Sequence, residues 1–214
     1  MTMSGSYDFE EQERIAELKA WWEDNRWYVV GAIVAAVLAF AGYRGWKEWS
    51  ARQSEDAAAM YQPVADAVKA NDAKKLASSA DALVSKHPRS FYASSAALAV
   101  AKSAFDAGNM DEARKRLEWV SEHGPDEHRG VARIRLAAVL LDQKKYAEAL
   151  QTLDAVKDEG FTALAADLRG DIMLAQGRLD EARASYKLAV EKAGTGHPVK
   201  QIAETKLNAL GGSQ

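Results

Sequence analysis

The chain contains no cysteine among its 214 residues, and proline is scarce, with four in all. Without thiols it has no disulfide, no thiol nucleophile and no thiolate ligand for a metal. The motifs G-x-S-x-G, G-x-x-x-x-G-K-[ST] and H-E-x-x-H are also absent. Because these motifs build common hydrolase, nucleotide-binding and zinc-protease sites, we predict a protein that is not an enzyme and holds no cofactor or metal.

An excess of charge of one sign is lacking too, since the net charge is −3. Residues 1–26 contain three basic and seven acidic side chains, which leaves 25 basic and 24 acidic residues in the remainder. A nearly neutral domain lacks the basic surface on which nucleic-acid binding depends. No nucleic-acid partner is therefore predicted.

One uncharged stretch, from Trp27 to Tyr43, lies between Arg26 and Arg44. As an α-helix it would extend about 26 Å, close to the roughly 30 Å thickness of a bilayer's hydrocarbon core. Aromatic side chains suited to membrane interfaces lie at its two ends: Trp27, Tyr28, Tyr43, Trp46 and Trp49. The pattern predicts one transmembrane helix over residues 27–46.

Two alternatives to a membrane anchor are a buried core helix and a cleaved signal peptide, because Ala39–Ala41 fits a cleavage pattern. The acidic flank argues against cleavage, since a signal peptide begins with a short positive segment. Residues 1–26 then form an acidic tail, either an amphipathic helix or a disordered segment. Its apolar residues fall at helical spacing: Phe9, Ile15, Leu18 and Trp22.

Small residues recur every fourth position within the predicted anchor, at Gly31, Ala35 and Ala39. This small-xxx-small spacing lets another transmembrane helix approach closely. Alanine-rich spans also match the pattern by chance. We interpret the three residues as a candidate packing face for a membrane partner.

An internal repeat occupies the remainder of the chain, residues 47–214. The segments 105–113, 141–149 and 174–182 share a helix end, a turn at Gly108, Lys144 or Gly177, and a new helix start. Small residues recur in register on both helices of each copy: Ala101 and Ala113, Ala137 and Ala149, Gly170 and Ala182. This pattern resembles the tetratricopeptide repeat, in which small residues sit where two antiparallel helices cross.

The repeat pattern therefore predicts an all-α fold, in which a transmembrane helix precedes a tetratricopeptide-like α-solenoid with three clear repeats. A degenerate fourth unit is predicted to pair helices near 57–69 and 74–86, although it has no turn glycine. A last helix near 199–210 would cap the stack, as solenoids require.

Stacked helix pairs form a groove lined by the first helix of each pair. The register places five apolar residues toward it: Leu98, Phe105, Ile134, Leu141 and Leu174. These are candidate partner-binding residues for an unfolded chain or a partner helix. The alternative is that they are buried between neighbouring repeats. A two-cation carboxylate clamp is not predicted, because the residues matching Lys102 are Ala138 and Asp171.

The four histidines lie close to glycine or proline in the sequence, a position typical of solvated loops. His87 and His197 each precede a proline, and His123 precedes Gly124. Acidic pairs at the starts of second helices, such as Asp111 and Glu112, favour the positive end of the helix dipole. These titratable residues are predicted to have structural rather than catalytic roles.

The acidic tail, the anchor ending in Gly42–Trp46, and the motif Ala166–Asp171 together resemble the YfgM family over the whole chain. The resemblance implies a bacterial inner-membrane protein with a cytosolic N-terminus and a periplasmic repeat domain. Basic residues balance across the anchor, so charge does not set this orientation.

The same resemblance implies the partners: the SecYEG translocon and the periplasmic foldase PpiD, with unfolded translocated chains as a further candidate. It predicts a non-enzymatic adaptor that links the translocon to periplasmic chaperones and helps transfer translocated proteins. The alternative is a membrane-tethered repeat scaffold for another cell-envelope assembly.

Overall fold

A computed structural model describes residues 5–194 and 196–211, with side chains described from residue 13 onward, so the side chain of Phe9 lies outside it. No β-strand occurs in these ranges, and the predicted all-α fold class is confirmed. The helices are α1 (Gly5–Lys69), α2 (Ala73–Lys86), α3 (Phe91–Asp106), α4 (Met110–His123), α5 (Asp126–Asp142), α6 (Tyr146–Asp154), α7 (Thr162–Ala175), α8 (Leu179–Lys192) and α9 (Pro198–Ala209). A short 3₁₀ turn, Glu159–Phe161, precedes α7.

The chain separates into two compact units, Met1–Gln53 and Ser54–Gln214. Helix α1 supplies the first unit and, with its last turns, the beginning of the second. The helix predicted near residues 57–69 is thus the end of α1 rather than a separate element. Helix α1 continues through Pro63, which lacks one backbone donor but lies on the exposed side.

In the first unit, the apolar side chains of α1 lie on the surface. Trp27 and Tyr28 are 75% and 79% exposed, and Val34, near the middle of the uncharged stretch, is also exposed. By length and composition this helix can cross a membrane, and none of its most apolar window is buried. This exposure does not fit the alternative of a buried core helix.

Within the described part of the second unit, four helical hairpins follow one another along the chain. The end of α1 packs on α2. The other pairs are α3 with α4, α5 with α6, and α7 with α8. From α3 onward, each first helix also contacts the next first helix, so α3 meets α5, α5 meets α7, and α7 meets α9. This neighbour-to-neighbour packing is consistent with the predicted α-solenoid.

The turns within the hairpins require a left-handed backbone. Gly108, Lys144 and Gly177 have φ values of 75°, 59° and 74°, as their aligned positions predict. In the first hairpin the same position is taken by Asn71, with a φ of 51°. Asparagine tolerates this conformation better than most side chains, which is why the first hairpin needs no turn glycine.

The core of each predicted repeat is built from one small and one large residue at the helix crossing. Ala101 and Ala137 are buried together with Leu117 and Leu153. In the third repeat, Gly170 faces the ring of Tyr186, which is completely buried. Close helix approach thus follows from the small side chains on the first helices.

The first hairpin uses the same positions with the sizes exchanged. Leu76 occupies the place of the small Ala113, and Ala80 occupies the place of the large Leu117. Both Leu76 and Ala80 are buried in one cluster with Val64 of α1. The small and large residues are thus exchanged at these two positions of α2, which hides the helix crossing from a search for small-residue spacing. That this hairpin is a degenerate repeat stays a prediction.

Two histidines do not lie in solvated loops as their sequence neighbours predict. His128 lies within α5, where it is partly buried and its ring packs 4.3 Å from that of Phe91. His87 is only 8% exposed, and its Nε2 lies 2.7 Å from Oδ2 of Asp56. Lys86 also contacts that carboxylate, at 2.6 Å. These two partners lower the pKa of Asp56 through their hydrogen bonds. The prediction of a solvated loop residue is wrong for His87, which ties the end of α1 to the junction of α2 and α3.

Candidate functional site

The five predicted groove residues differ in exposure. Phe105 and Leu174 are 38% and 40% exposed, whereas Ile134 and Leu141 are partly buried against the main core. Leu98 is a core residue with 9% of its surface exposed. Phe105 and Leu174 therefore offer the largest apolar surface to a partner, and Leu98 offers the least.

Only one of the five, Phe105, lines a surface cleft of about 280 Å³ between α3, α4 and α5, which we call the α3–α5 cleft. Ala101, Leu117, Ala138 and Val139 form its apolar wall. The cleft is bordered by charged side chains of α3 and α5: Lys102, Asp106 and Arg135. This volume is sufficient for one large apolar side chain.

Sequence reasoning did not single out Arg135, although it follows the predicted groove residue Ile134. Helical spacing could have identified Arg135, because it lies one turn before Ala138 and therefore on the same face of α5. Lys102 is paired with Asp106 at 2.6 Å. Within residues 13–194 and 196–211, Arg135 has no carboxylate within 4.0 Å. The cleft therefore presents one unpaired cation beside an apolar wall.

The predicted membrane packing face lies on the exposed surface of α1. Gly31, Ala35 and Ala39 are all exposed, and a Cβ added at Gly31 would meet no atom within 4 Å. The face is therefore free within the described chain to receive another helix. Its role as a packing face stays a prediction.

A second polar site holds α9 on the end of the stack, and we call Asp167, Asp171, Tyr186 and Lys206 the cap cluster. Lys206 Nζ donates to Asp167 Oδ2 and to Asp171 Oδ2, each at 2.8 Å. The Tyr186 hydroxyl donates to Asp171 Oδ1 at 2.8 Å. Because Lys206 belongs to α9 and both aspartates belong to α7, these bonds fix α9 in its position.

The motif that carries the family resemblance thus has a physical role in the cap. Asp167 and Asp171 receive Lys206, and Gly170 between them leaves room for the Tyr186 ring. Ala203 of α9 lies 33 residues after Gly170 and is fully buried, like the small residues of the preceding first helices. Helix α9 therefore takes the place of one more first helix and covers the end of the core.

The pKa values in the cap cluster follow from burial and pairing. Burial raises the pKa of Asp167 above its ordinary 3.8, and the Lys206 ammonium offsets only part of that. For Lys206, burial favours the neutral amine, but the bonds to both aspartates outweigh it and raise its pKa. Burial, and next the hydrogen bond to Asp171, raise the pKa of the Tyr186 hydroxyl.

We expect the full-length protein to lose stability as pH rises above about 10, because the unfolded chain releases these protons before the folded one does. Lys206 and Tyr186 ordinarily titrate at 10.5 and 10.0, and their folded pKa values are higher. Tyr186→Phe should therefore make the alkaline decline in melting temperature shallower than in wild type, as followed by circular dichroism. Tyr92→Phe, outside the cluster, is the control, and an identical decline in all three proteins would contradict the assignment.

The described side chains include no group of three His, Asp or Glu residues placed to hold a metal ion. Both sites consist of groups that make noncovalent contacts. The cap cluster has ion pairs and a close steric fit, and the α3–α5 cleft has an apolar wall with one cation.

Comparison with known proteins places the chain among its relatives. The family model described as a tetratricopeptide repeat-like domain matches residues 19–212. A protein of Neisseria gonorrhoeae named ancillary SecYEG translocon subunit is 32% identical over 206 residues, covering 94% of this chain and 97% of the relative. Proteins of the same name match from Haemophilus influenzae, at 32% over 96% of this chain and 100% of the relative, and from Escherichia coli, at 26% over 94% and 96%.

The matches to these relatives cover more than nine tenths of the chain, and the family model extends from the first unit through the repeats. They confirm the resemblance on which the sequence-based family assignment depended. The chain belongs to the tetratricopeptide repeat-like domain family and to the family of the ancillary SecYEG translocon subunits.

Proposed function

We propose that this protein is a non-enzymatic adaptor of the Sec translocon in the bacterial inner membrane. The observation that carries the proposal is the match over more than nine tenths of the chain to relatives named ancillary SecYEG translocon subunits. Helices in a repeat array with an exposed cleft support a binding role rather than catalysis. We propose further that the adaptor links the translocon to periplasmic folding factors, with the foldase PpiD as the partner implied by the resemblance.

The proposed topology has the N-terminus in the cytosol, a single span at residues 27–46 and the repeat domain in the periplasm. The length, composition and exposure of this part of α1 support a span. Orientation rests on the family resemblance alone. A cysteine introduced at Ser213 in this cysteine-free chain tests it, because periplasmic exposure predicts labelling by a membrane-impermeant maleimide in intact spheroplasts.

Arginine at Val34 should prevent stable membrane insertion. Seven strongly apolar residues at about −0.3 to −0.6 kcal/mol each supply roughly −2 to −4 kcal/mol, and an arginine at the helix centre costs about 2.5–3.5 kcal/mol. Carbonate extraction should release Val34→Arg from membranes and leave Val34→Leu in the pellet. Retention of the arginine variant in the carbonate-washed pellet would contradict a span centred on this residue.

The small-residue face at Gly31, Ala35 and Ala39 is proposed to pack against a membrane partner, either a translocon subunit, PpiD or a second copy. Leucine at Gly31 and Ala35 should separate the helices and reduce recovery of the partner after mild solubilisation. Leucine at Ala32 and Ala36, which lie on another side of α1, provides the control. Equal recovery with both double variants would refute a specific packing face.

The groove of the repeat domain is proposed to bind a partner helix or a translocated chain through its exposed apolar residues. Phe105→Glu together with Leu174→Glu should weaken crosslinking to such a partner, because each change places a charge on an exposed apolar side chain of the groove. Undiminished crosslinking would show that the partner binds elsewhere.

The second candidate function is a membrane-tethered scaffold for another envelope assembly, supported by the same repeat architecture. We would crosslink cells, solubilise membranes mildly and isolate the full-length protein beside a version whose residues 27–43 are replaced by an unrelated span. Recovery of translocon subunits and PpiD with the native protein supports the adaptor. Their absence together with recovery of other envelope proteins supports the scaffold.

A further inference from the structure

The α3–α5 cleft combines an apolar recess with charge at its border. Its wall is made by side chains of three different helices, so its shape depends on repeat stacking: Ala101 from α3, Leu117 from α4, and Ala138 and Val139 from α5. Val139 and Leu117 are almost completely buried. The recess is therefore a fixed part of the core surface, and an apolar side chain that enters it removes water from an existing hydrophobic wall.

The charges at the cleft border are unequal. Lys102 and Asp106 neutralise each other through their contact at 2.6 Å. Arg135 is exposed and has no carboxylate within 4.0 Å among the described side chains. The border thus has one net positive charge, and that charge is on a guanidinium, which binds a carboxylate through two parallel hydrogen bonds.

From these two features we infer that the α3–α5 cleft binds a peptide segment that presents one aromatic or branched aliphatic side chain together with one carboxylate. The apolar side chain fills the recess beside Phe105, and the carboxylate pairs with Arg135. This inference rests on the proposed function, since it specifies the chemistry of a segment that the adaptor binds. It names a single carboxylate because Lys102 is already occupied by Asp106.

The two contacts have different energetic roles. Burial of a Phe or Leu side chain supplies most of the affinity, because it removes apolar surface from water. An ion pair on an exposed arginine adds about 1 kcal/mol at most, which is about a fivefold change in affinity. The cleft is therefore selective for apolar side chains first and for acidic neighbours second, which suits weak binding of many segments rather than tight binding of one.

Fluorescence anisotropy of labelled peptides tests the inference on the full-length protein in lipid nanodiscs. The probe is a fluorescein-labelled peptide of alanine and serine that contains one phenylalanine and, one helical turn later, one glutamate. Matched peptides replace the phenylalanine by alanine or the glutamate by glutamine. We expect the phenylalanine–glutamate peptide to bind about fivefold more tightly than the phenylalanine–glutamine peptide, and the alanine peptide to show no binding.

Three variants locate the binding. Arg135→Gln should remove the preference for glutamate and leave binding of the glutamine peptide unchanged, while Ala138→Trp should fill the recess and abolish binding of both. Arg129→Gln is the control, because Arg129 lies on the same helix but pairs with Asp126 away from the cleft. Circular dichroism shows whether Ala138→Trp is folded, and Arg135→Gln changes only an exposed side chain.

Loss of the glutamate preference in Arg135→Gln alone supports the inference. No binding of the phenylalanine peptides, or a preference for glutamate that persists in Arg135→Gln, overturns it. The crosslinking of translocon subunits to the same wild-type protein is read separately. If the subunits crosslink but the peptides do not bind, the cleft inference fails and the adaptor stands; if the peptides bind but no subunit crosslinks, the adaptor proposal fails.

Discussion

Alanine at Gly170 should lower the free energy of unfolding by about 2 kcal/mol, although alanine is ordinarily the better helix former. A Cβ at this position would lie 2.3 Å from Cε1 of Tyr186. Overpacking of this kind costs about 1–3 kcal/mol and occasionally more, and such a short separation belongs at the upper end. The higher helix propensity of alanine stabilises α7 by at most about 1 kcal/mol. The steric cost therefore exceeds the gain.

The Tyr186 ring has no easy way to move aside. It is completely buried, its hydroxyl is held by Asp171 at 2.8 Å, and Met173 and Ala182 pack around it. For a protein of this length, a loss of 2 kcal/mol corresponds to about 4–8 °C in melting temperature. Thermal unfolding of the full-length protein in detergent, followed by circular dichroism, measures the shift.

Two further variants separate steric overlap from a general effect of alanine. Gly194→Ala is the matched control, because a Cβ there meets no atom within 4 Å. Gly170→Ala with Tyr186→Leu recreates the alanine–leucine pairing of Ala101 with Leu117. The double variant should therefore lose less free energy of unfolding than the sum of the losses of the two single variants. If Gly170→Ala melts at the wild-type temperature, the close packing of α7 on α8 is not as the structure describes.

The hairpins could be predicted from sequence because their determinants are local. The turn position needs a left-handed backbone, and Gly108 and Gly177 mark it directly. Small residues at fixed spacing mark the helix crossings, since those contacts depend on side-chain size alone. The first hairpin is less evident because Leu76 and Ala80 exchange these sizes.

The polar contacts could not be predicted, because they join residues that are far apart in sequence. His87 meets Asp56 across 31 residues, and Lys206 meets Asp167 across 39. In the sequence each partner is an ordinary polar residue, and only the folded chain brings the two members of each pair together. The same is true of the cleft, where Phe105 was predictable from the repeat register and Arg135 acquires meaning from its position opposite α3.

The motif Ala166–Asp171 could be located in the sequence, but its physical role could not be predicted. Resemblance to a family identifies the motif without explaining why it contains two aspartates and a glycine. The structure supplies the reason, since Asp167 and Asp171 bind Lys206 and Gly170 admits Tyr186. The motif therefore marks the place where α9 packs on the end of the repeat array.

Methionine at Lys206 should destabilise the repeat domain by about 3 kcal/mol. Removing one partner of a buried ion pair costs about 3–5 kcal/mol because a charge is left uncompensated in a poorly hydrated place. The Lys206 side chain is 29% exposed, so the lower end of that range applies. The loss should be largest in α9, and hydrogen exchange of the α9 amides should accelerate before that of α3 or α5.

The uncompensated carboxylates, rather than the missing methylene packing, should account for most of this loss. Asp167→Asn combined with Lys206→Met removes one of those charges and should be more stable than Lys206→Met alone, which is the reverse of what two independent losses would give. Lys200→Met, on the same helix, is the control for charge removal. Urea unfolding of the full-length protein measures the free energy of unfolding of the wild type and of these three variants. A double variant less stable than Lys206→Met would mean that Lys206 stabilises α9 through its aliphatic stem rather than through its charge.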